Sequence, residues 1–157
     1  MKLSTRGRYG LRAMIDLAQN AEKEAVSISS IAKRQSISEG YLEQIIAILK
    51  KAGLLTSKRG AGGGYTLAKE PDTISVGDIL RALEGSLDPV DCAGLHETQS
   101  CESEESCVTK YVWKKINESI NRTVDEIMLS ELVALGRKIP DPQESARRSC
   151  CESVKTY

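Results

Sequence analysis

Hydrophobic residues recur at intervals of three and four along much of the chain, and this spacing predicts amphipathic helices. One stripe ends near Asn20, a short second stripe lies between Ile28 and Ala32, and a third begins after Ser38. In the third, the positions i, i+3, i+4 and i+7 are all apolar: Leu42, Ile45, Ile46 and Leu49. Two short helices a few residues apart, the second with a polar outer face, are typical of a helix-turn-helix.

A glycine-rich hairpin is predicted directly after the third helix. The stretch LLTSKRGAGGGYTLA predicts two short strands, around residues 54–58 and 65–68, joined by glycines that permit positive φ. Glycine-rich loops also bind phosphates in enzymes, but the dinucleotide pattern would require glycine at Tyr65 and a helix after it. The nucleotide-triphosphate loop would require a Gly-Lys-Ser or Gly-Lys-Thr ending, which the sequence lacks. A basic wing beside a recognition helix is therefore favoured over a plain surface hairpin.

The second half of the pattern begins with a fourth helix in ISVGDILRALEG, where Ser75 and Asp78 have the spacing of a capping box. One long helix is predicted from Val108 to about Leu135, with an apolar side made of Val112, Ile116, Ile120, Val124, Ile127, Met128 and Leu132. This stripe is too long for a small winged domain to cover, so we expect a two-fold dimer in which it meets its copy. The polar, proline-containing chain from residue 136 onward predicts disorder.

Charge is distributed unevenly although the net charge is zero. Residues 1–70 contain 12 lysines and arginines against 6 acids, whereas residues 71–157 contain 10 against 16. This asymmetry predicts that the basic half meets a polyanion such as DNA. The N-terminus lacks the apolar core of a signal peptide, and no apolar run approaches the roughly 20 residues of a membrane span. We therefore expect a cytoplasmic protein that does not contact membranes.

Three of the five cysteines lie in one acidic segment, CAGLHETQSCESEESC, at residues 92–107. In the cytoplasm thiols stay reduced and more often bind metal or perform redox chemistry. Three thiolates suit an iron–sulfur centre or zinc, although the spacings of eight and five residues lack the close cysteine pair of structural zinc sites. Unliganded cysteines remain the alternative.

Enzymatic activity is not expected from these residues. A thiol redox enzyme would need a Cys-x-x-Cys motif, which does not occur in the sequence. A hydrolytic enzyme is disfavoured because the one histidine, His96, lies inside the cysteine segment. The sequence therefore favours a binding protein.

Several motifs together carry a resemblance to a known family: RGRYGLRAM, SISEGYLEQI, LKKAGLL, KRGAGGGYTLA and ISVGDILRALEG, followed by a cysteine loop and a long helix. Over residues 1–135 the chain resembles the Rrf2 family of bacterial winged-helix repressors, in particular its iron–sulfur members. The resemblance implies a mainly α fold with a small β-hairpin wing. Its parts would be a winged helix-turn-helix domain (1–84), a cluster-binding loop (85–107), a dimerisation helix (108–135) and a tail outside the resemblance (136–157).

The resemblance also implies a function. The protein would be a homodimeric regulator, mainly a repressor, of iron–sulfur cluster assembly genes, and cluster occupancy would alter which palindromic double-stranded operators it binds. A nitric-oxide-sensing iron–sulfur repressor of the same family is the alternative within the family. A thiol- or zinc-binding redox protein is the alternative outside it.

The cysteine segment matches the family's cluster ligands at three positions. Cys92, Cys101 and Cys107 correspond to the cysteines that hold one 2Fe–2S cluster per subunit, delivered by the iron–sulfur assembly machinery. The chain departs from the family at Lys110, where a histidine is usual, because a lysine ammonium has no lone pair to donate. His96 is the first substitute as fourth ligand, before a loop glutamate or a tail thiol.

Six residues are predicted to contact DNA: Tyr41, Glu43, Gln44, Lys58, Arg59 and Gly60. Gln44 can pair with adenine through two hydrogen bonds, and Arg59 can reach guanine or a narrow minor groove. Tyr41, Lys58 and the wing backbone at Gly60 would hold phosphates. Glu43 can accept from a cytosine amino group and repels the DNA elsewhere, so it suits discrimination between operators.

Overall fold

The computed structural model describes residues 3–20, 25–60, 62–90 and 107–138. Within these ranges the elements are α1 (Thr5–Asn20), α2 (Ile28–Gln35), α3 (Glu39–Lys51), β1 (Leu55–Lys58), β2 (Gly64–Leu67), α4 (Val76–Glu84), α5 (Val108–Glu126) and α6 (Leu129–Lys138), with a 3-10 turn at Pro71–Thr73. The prediction of a mainly helical fold with one small hairpin is confirmed.

Helices α2 and α3 form a helix-turn-helix, and serines stand at three of its helix ends. The Ser27 hydroxyl accepts a hydrogen bond from the Ser30 amide at 3.2 Å and so caps α2. Ser36 ends α2 with φ 54° and ψ 46°, in the left-handed region, and this conformation turns the chain toward α3. Ser38 is the residue before α3, as predicted, but its side chain makes no capping hydrogen bond.

The inner faces of the first three helices make the main core. Helix α3 buries the four predicted residues, Leu42, Ile45, Ile46 and Leu49, and α1 contributes the fully buried Ala13, Met14 and Leu17. Burial of each large apolar side chain contributes about 1.5–3 kcal/mol. Because this face holds α3 against α1, the opposite face of α3 is left in solvent.

The wing is a two-stranded antiparallel hairpin attached to the start of the helix-turn-helix. Its register runs from Leu55 opposite Leu67 to Lys58 opposite Gly64. Val26 adds a short third segment, since its amide and carbonyl exchange hydrogen bonds of 2.9 Å with the backbone of Tyr65. The base of the wing is therefore fixed to the residues that precede α2.

Helix α4 begins with the predicted capping box. The Asp78 amide donates to the Ser75 hydroxyl and the Ser75 amide donates to the Asp78 carboxylate, both at 3.0 Å. Two of its apolar residues, Ile79 and Leu83, lie in the main core. Val76 and Leu80 form a second apolar cluster with Leu87.

The single helix predicted over residues 108–135 is wrong, because the structure divides this stretch into α5 and α6. Ile127 is extended (φ −86°, ψ 113°), and its carbonyl accepts from the Val76 amide at 2.9 Å. The Leu129 amide donates to the Ile74 carbonyl, also at 2.9 Å, and the Leu129 side chain is fully buried in the main core. These contacts with the start of α4 replace the helical hydrogen bonds that periodicity predicts.

This break also changes the interpretation of the apolar stripe. The second half of the stripe packs against the second apolar cluster of the same chain. Four of its residues make this contact: Ile120, Val124, Ile127 and Leu132. In the first half, Val112 and Ile116 are 48% and 37% exposed. The neighbouring Val108 and Tyr111 are 83% and 67% exposed. Within the described residues, the exposed part of the stripe therefore lies in the N-terminal half of α5.

Two further predictions concern the C-terminal tail and membrane spans. Residues 136–138, which we expected to begin a disordered tail, are the last turn of α6, and the rest of the tail lies outside the described residues. Among the helices that the structure describes, none is long and apolar enough to cross a membrane.

Candidate nucleic-acid interface and cysteine segment

The outer face of α3 presents polar side chains to solvent. Glu43 and Gln44 are both exposed, and the buried residues that flank them, Leu42 and Ile45, hold the helix against the core. A carboxylate and a carboxamide on adjacent positions can accept from and donate to base edges in a major groove. The structure thus leaves both predicted residues accessible.

Tyr41 differs from these two because its ring packs against Tyr9 of α1. It is half-buried, and its centroid lies 6.1 Å from the Tyr9 ring at an interplanar angle of 80°. Such edge-to-face pairs contribute about 0.5–1.5 kcal/mol beyond area burial. The predicted phosphate contact would therefore use the Tyr41 hydroxyl, since the ring contacts Tyr9 of α1.

The wing carries the other three predicted residues, Lys58, Arg59 and Gly60, and all three are exposed. Gly60 has φ 114°, which side-chain-bearing residues rarely adopt, and its carbonyl accepts from the Gly63 amide at 2.9 Å. A Cβ at Gly63 would stand 2.8 Å from the carbonyl oxygens of Gly60 and Lys58. The tip is a tight turn whose backbone can approach a phosphate closely.

A side-chain contact connects the wing to the recognition helix. Lys50, in the last turn of α3, donates from Nζ to the Ser57 hydroxyl of β1 at 2.8 Å. The two elements that carry the predicted DNA contacts are therefore tied together at the base of the wing.

An ion pair that the sequence did not predict lies behind the helix-turn-helix. Asp16 of α1 is 3% exposed, and its Oδ1 lies 2.6 Å from Nη2 of Arg34 in α2. The hydrogen bond to Asp16 raises the pKa of the Arg34 guanidinium above its ordinary value. The signal in the sequence was an aspartate between two apolar residues of α1, Ile15 and Leu17.

The structure describes one of the three predicted cluster ligands, Cys107, which precedes the first residue of α5. Its Sγ lies 3.2 Å from the Thr109 hydroxyl. The Thr109 hydroxyl, followed by the Lys110 backbone amide, lowers the pKa of the Cys107 thiol below its ordinary value. A helix N-terminus with a hydroxyl donor stabilises a thiolate, which is the form that ligates metals.

The other predicted ligands, Cys92, Cys101 and His96, lie outside the described residues, as do Cys150 and Cys151. Inside the described ranges, no group of three or more histidine, cysteine, aspartate or glutamate side chains could hold a metal ion. Lys110 lies in the first turn of α5, where its amide donates to the Cys107 carbonyl at 3.3 Å. Of the predicted ligands, Cys107 is thus the one that lies among the described residues.

Helix-turn-helix, basic wing and exposed polar recognition face together define a winged-helix protein of the DNA-binding class. The family model of Rrf2, described as an iron-dependent transcriptional regulator, matches residues 3–135. The chain belongs to the Rrf2 family, as the sequence motifs predicted. It is a DNA-binding transcriptional regulator and not an enzyme.

Similar proteins include curated regulators and solved structures. The HTH-type transcriptional regulator IscR of Aliivibrio salmonicida is 41% identical over 133 residues, which are 85% of this chain and 77% of that protein. IscR of Klebsiella pneumoniae strain 342 is 39% identical over 133 residues, or 85% of this chain and 80% of that protein. The structure of T. potens IscR superposes with a TM-score of 0.71 at 45% identity, covering 92% of this chain and 96% of that one.

CymR of B. subtilis, described as the global cysteine regulator, also superposes with a TM-score of 0.71. It is 40% identical, and the match covers 86% of this chain and 98% of that one. The shared fold therefore extends beyond the IscR proteins to the cysteine regulator CymR.

Proposed function

We propose that the protein is a homodimeric repressor of iron–sulfur cluster assembly genes and that it binds one 2Fe–2S cluster per subunit. Cys92, Cys101 and Cys107 hold the cluster, which the iron–sulfur assembly machinery donates. Each subunit reads one half of a palindromic operator in the cytoplasm, and cluster occupancy alters operator choice. The likeness to IscR proteins over 133 residues supports this function.

The observation that carries the cluster assignment is the environment of Cys107. A thiol at the start of α5, beside the Thr109 hydroxyl and the Lys110 amide, has a lowered pKa, which favours the thiolate form. Hydrogen bonds to a ligating sulfur are one of the means by which proteins adjust the reduction potential of a cluster. When bound, the cluster would supply one-electron redox chemistry, while Cys107 would hold it at the end of a rigid helix.

The fourth ligand is proposed to be His96. Lys110, at the position where the family usually has histidine, offers an ammonium group and no lone pair. An imidazole nitrogen in the cysteine segment supplies the missing donor. A His96→Ala protein should therefore bind its cluster less stably than a His96→Cys protein, which restores a ligand.

The exposed apolar side chains of α5 support the dimer. Val112 and Ile116 continue the helical stripe of the second cluster onto a part of α5 that the chain itself does not cover. A second copy of the same stripe, related by a two-fold axis, would bury both. Since Cys107 adjoins this patch, cluster occupancy and the relative orientation of the two subunits would be coupled.

Anaerobic visible absorption and iron content of the purified protein test this proposal. The unaltered protein should show iron–sulfur bands, which neither zinc nor free thiols produce. Each of Cys92→Ala, Cys101→Ala and Cys107→Ala should abolish them, whereas replacing Cys150 and Cys151 together should not. Normal bands in the Cys101→Ala protein would refute the ligand assignment.

A further inference from the structure

Arg12, on the exposed side of α1, makes three contacts through its guanidinium group, two with Gln35 at the end of α2 and one with Tyr9 of α1. Nε donates to Oε1 of Gln35 at 3.1 Å, and Nη2 donates to the backbone carbonyl of Gln35 at 2.7 Å. The guanidinium carbon lies 5.6 Å from the centroid of the Tyr9 ring, within the range of a cation–π contact. Arg12 therefore joins α1 to the end of α2 and to an aromatic side chain.

The carbonyl that Arg12 contacts belongs to the last residue of α2. Carbonyls in the last turn of a helix lack intrahelical donors, and the negative end of the helix dipole favours a cation there. The next residue, Ser36, begins the turn to α3 in the left-handed region. The Arg12 contact thus restrains the point at which the helix-turn-helix changes direction.

Gln35 is held from a second side by Asp16. The Gln35 amide donates from Nε2 to Oδ2 of Asp16 at 2.8 Å, while Nε of Arg34 donates to the same oxygen at 3.0 Å. Arg12 and Asp16 are four residues apart on α1, so both contacts come from one face of a single helix. Gln35 is fixed between them.

The aromatic contact leads to the recognition helix. Tyr9 receives Arg12 on its face and meets Tyr41, near the start of α3, in the edge-to-face arrangement described above. Tyr41 lies two residues before Glu43 and three before Gln44. These two ring contacts connect Arg12 to the part of α3 that carries the predicted base contacts.

We propose that Arg12 is a positioning residue for operator recognition. It holds the α2–α3 turn and Tyr41 in the orientation in which the outer face of α3 fits the operator, without itself contacting DNA. Nε and Nη2 both donate within the protein, and the guanidinium lies over the Tyr9 ring. The inference rests on the proposed DNA-reading role of α3.

A stability role alone does not account for this arrangement. The hydrogen bonds of Arg12 are exposed to solvent, so replacing Arg12 should leave the protein folded. Misplacing α3 by a small angle, in contrast, affects every hydrogen bond that it makes to bases. The consequence of losing Arg12 should therefore appear in operator selectivity.

The test compares binding of a selected operator and a scrambled duplex, with the operator enriched from random duplexes by the unaltered protein. Arg12→Ala and Arg12→Lys should each weaken operator binding about tenfold, as expected when about one base contact is lost. Binding of the scrambled duplex and the slope of affinity against salt should not change. Arg8→Ala is the matched control, since it removes an exposed arginine from the same helix one turn earlier.

Two further measurements separate positioning from other roles. Gln35→Ala removes the partner of Arg12 and should reproduce the loss, so the test does not depend on one variant. In double-mutant cycles, Arg12→Ala should be non-additive with Tyr41→Ala and additive with Lys58→Ala, because only the first pair is connected through Tyr9.

Several outcomes would overturn the proposal. If Arg12→Lys binds normally and Arg12→Ala weakens both duplexes with a salt slope shallower by about one, Arg12 is a phosphate contact. If the unaltered protein prefers the operator and the Arg12 variants bind both duplexes as it does, the positioning role of Arg12 is refuted. The DNA-reading role of α3 is not affected by that result. If the unaltered protein enriches no sequence, the DNA-reading role of α3 fails, and the role of Arg12 fails with it.

Discussion

The carboxylate of Glu84, the last residue of α4, caps the N-terminus of α1. Its Oε1 accepts from the Ser4 hydroxyl at 2.6 Å and from the Gly7 amide at 2.9 Å. The first amides of a helix lack intrahelical partners and carry the positive end of the helix dipole, so a carboxylate is stabilising there. A residue near the end of the winged domain thus secures its first helix.

Replacing Glu84 should therefore destabilise the protein. We expect Glu84→Ala to lower the free energy of unfolding by about 1–2 kcal/mol, and Glu84→Gln, which retains an acceptor, to lower it by less. Urea denaturation at equal protein concentration measures both. Glu126→Ala, at an exposed position in α5, is the control, and equal midpoints for the two alanine variants would contradict the capping role.

The packing of α6 can be tested with one substitution at two sites on that helix. Leu129 is fully buried and Leu135 is 55% exposed. Leu129→Ala should cost about 2–5 kcal/mol of unfolding free energy because it leaves a cavity in the main core. Leu135→Ala should change it by no more than about 0.5 kcal/mol. Comparable losses at the two sites would mean that α6 does not belong to the core.

The acidity of Cys107 predicts a pH dependence of alkylation in cluster-free protein. The Thr109 hydroxyl and the Lys110 amide lower the thiol pKa, so the reactive thiolate should form at a lower pH than in an ordinary cysteine. Iodoacetamide modification of a variant with the other four cysteines replaced by serine, followed by intact mass, reports this midpoint.

Thr109→Val in the same background removes the largest cause of the shift and should move the alkylation midpoint to higher pH. Thr109→Ser, which retains the hydroxyl, is the matched control. An unchanged midpoint in the valine variant would show that Thr109 does not stabilise the thiolate.

The dimer contact is proposed to involve the first half of α5 only. Val112→Asp places a charge in the exposed apolar patch and should yield monomers in sedimentation velocity, because an unpaired charge opposes burial. Arg122→Asp, on the same helix outside the apolar stripe, should leave the sedimentation coefficient unchanged. A dimeric Val112→Asp protein would exclude this patch as the interface.

The proposed DNA contacts are of two kinds, contacts to phosphates and contacts to bases. Lys58→Ala should weaken binding to all duplexes by a similar factor, because a phosphate contact is lost. The slope of log affinity against log salt concentration should become shallower by about one, because fewer counterions are released.

Gln44→Ala should weaken binding to matched operators selectively, by about 1–3 kcal/mol. Glu43→Ala should broaden operator choice in the cluster-free protein, since a repulsive group is removed. A narrowed or unchanged range in the last variant would show that Glu43 does not discriminate.

Elements with a strong local signal were predicted well from the sequence. The apolar stripe of α3, the capping box at Ser75 and the glycine-rich hairpin all depend on residues within a few positions of one another. Backbone propensity, capping and turn conformation act over such distances, so a single sequence contains enough information to predict these elements. The family motifs lie in the same segments.

Contacts between distant segments could be found only from the tertiary structure. Residues 108–135 have an unbroken helical period, but the chain breaks at Ile127 because that backbone pairs with the start of α4, about 50 residues earlier. The clamp of Arg12 and Asp16 on Gln35 likewise joins two helices through long polar side chains. Local periodicity determined which residues form helices and which face is apolar. The free energy of burying Leu129 and satisfying two backbone groups decided where the long helix ends, because these depend on surfaces that exist only after folding.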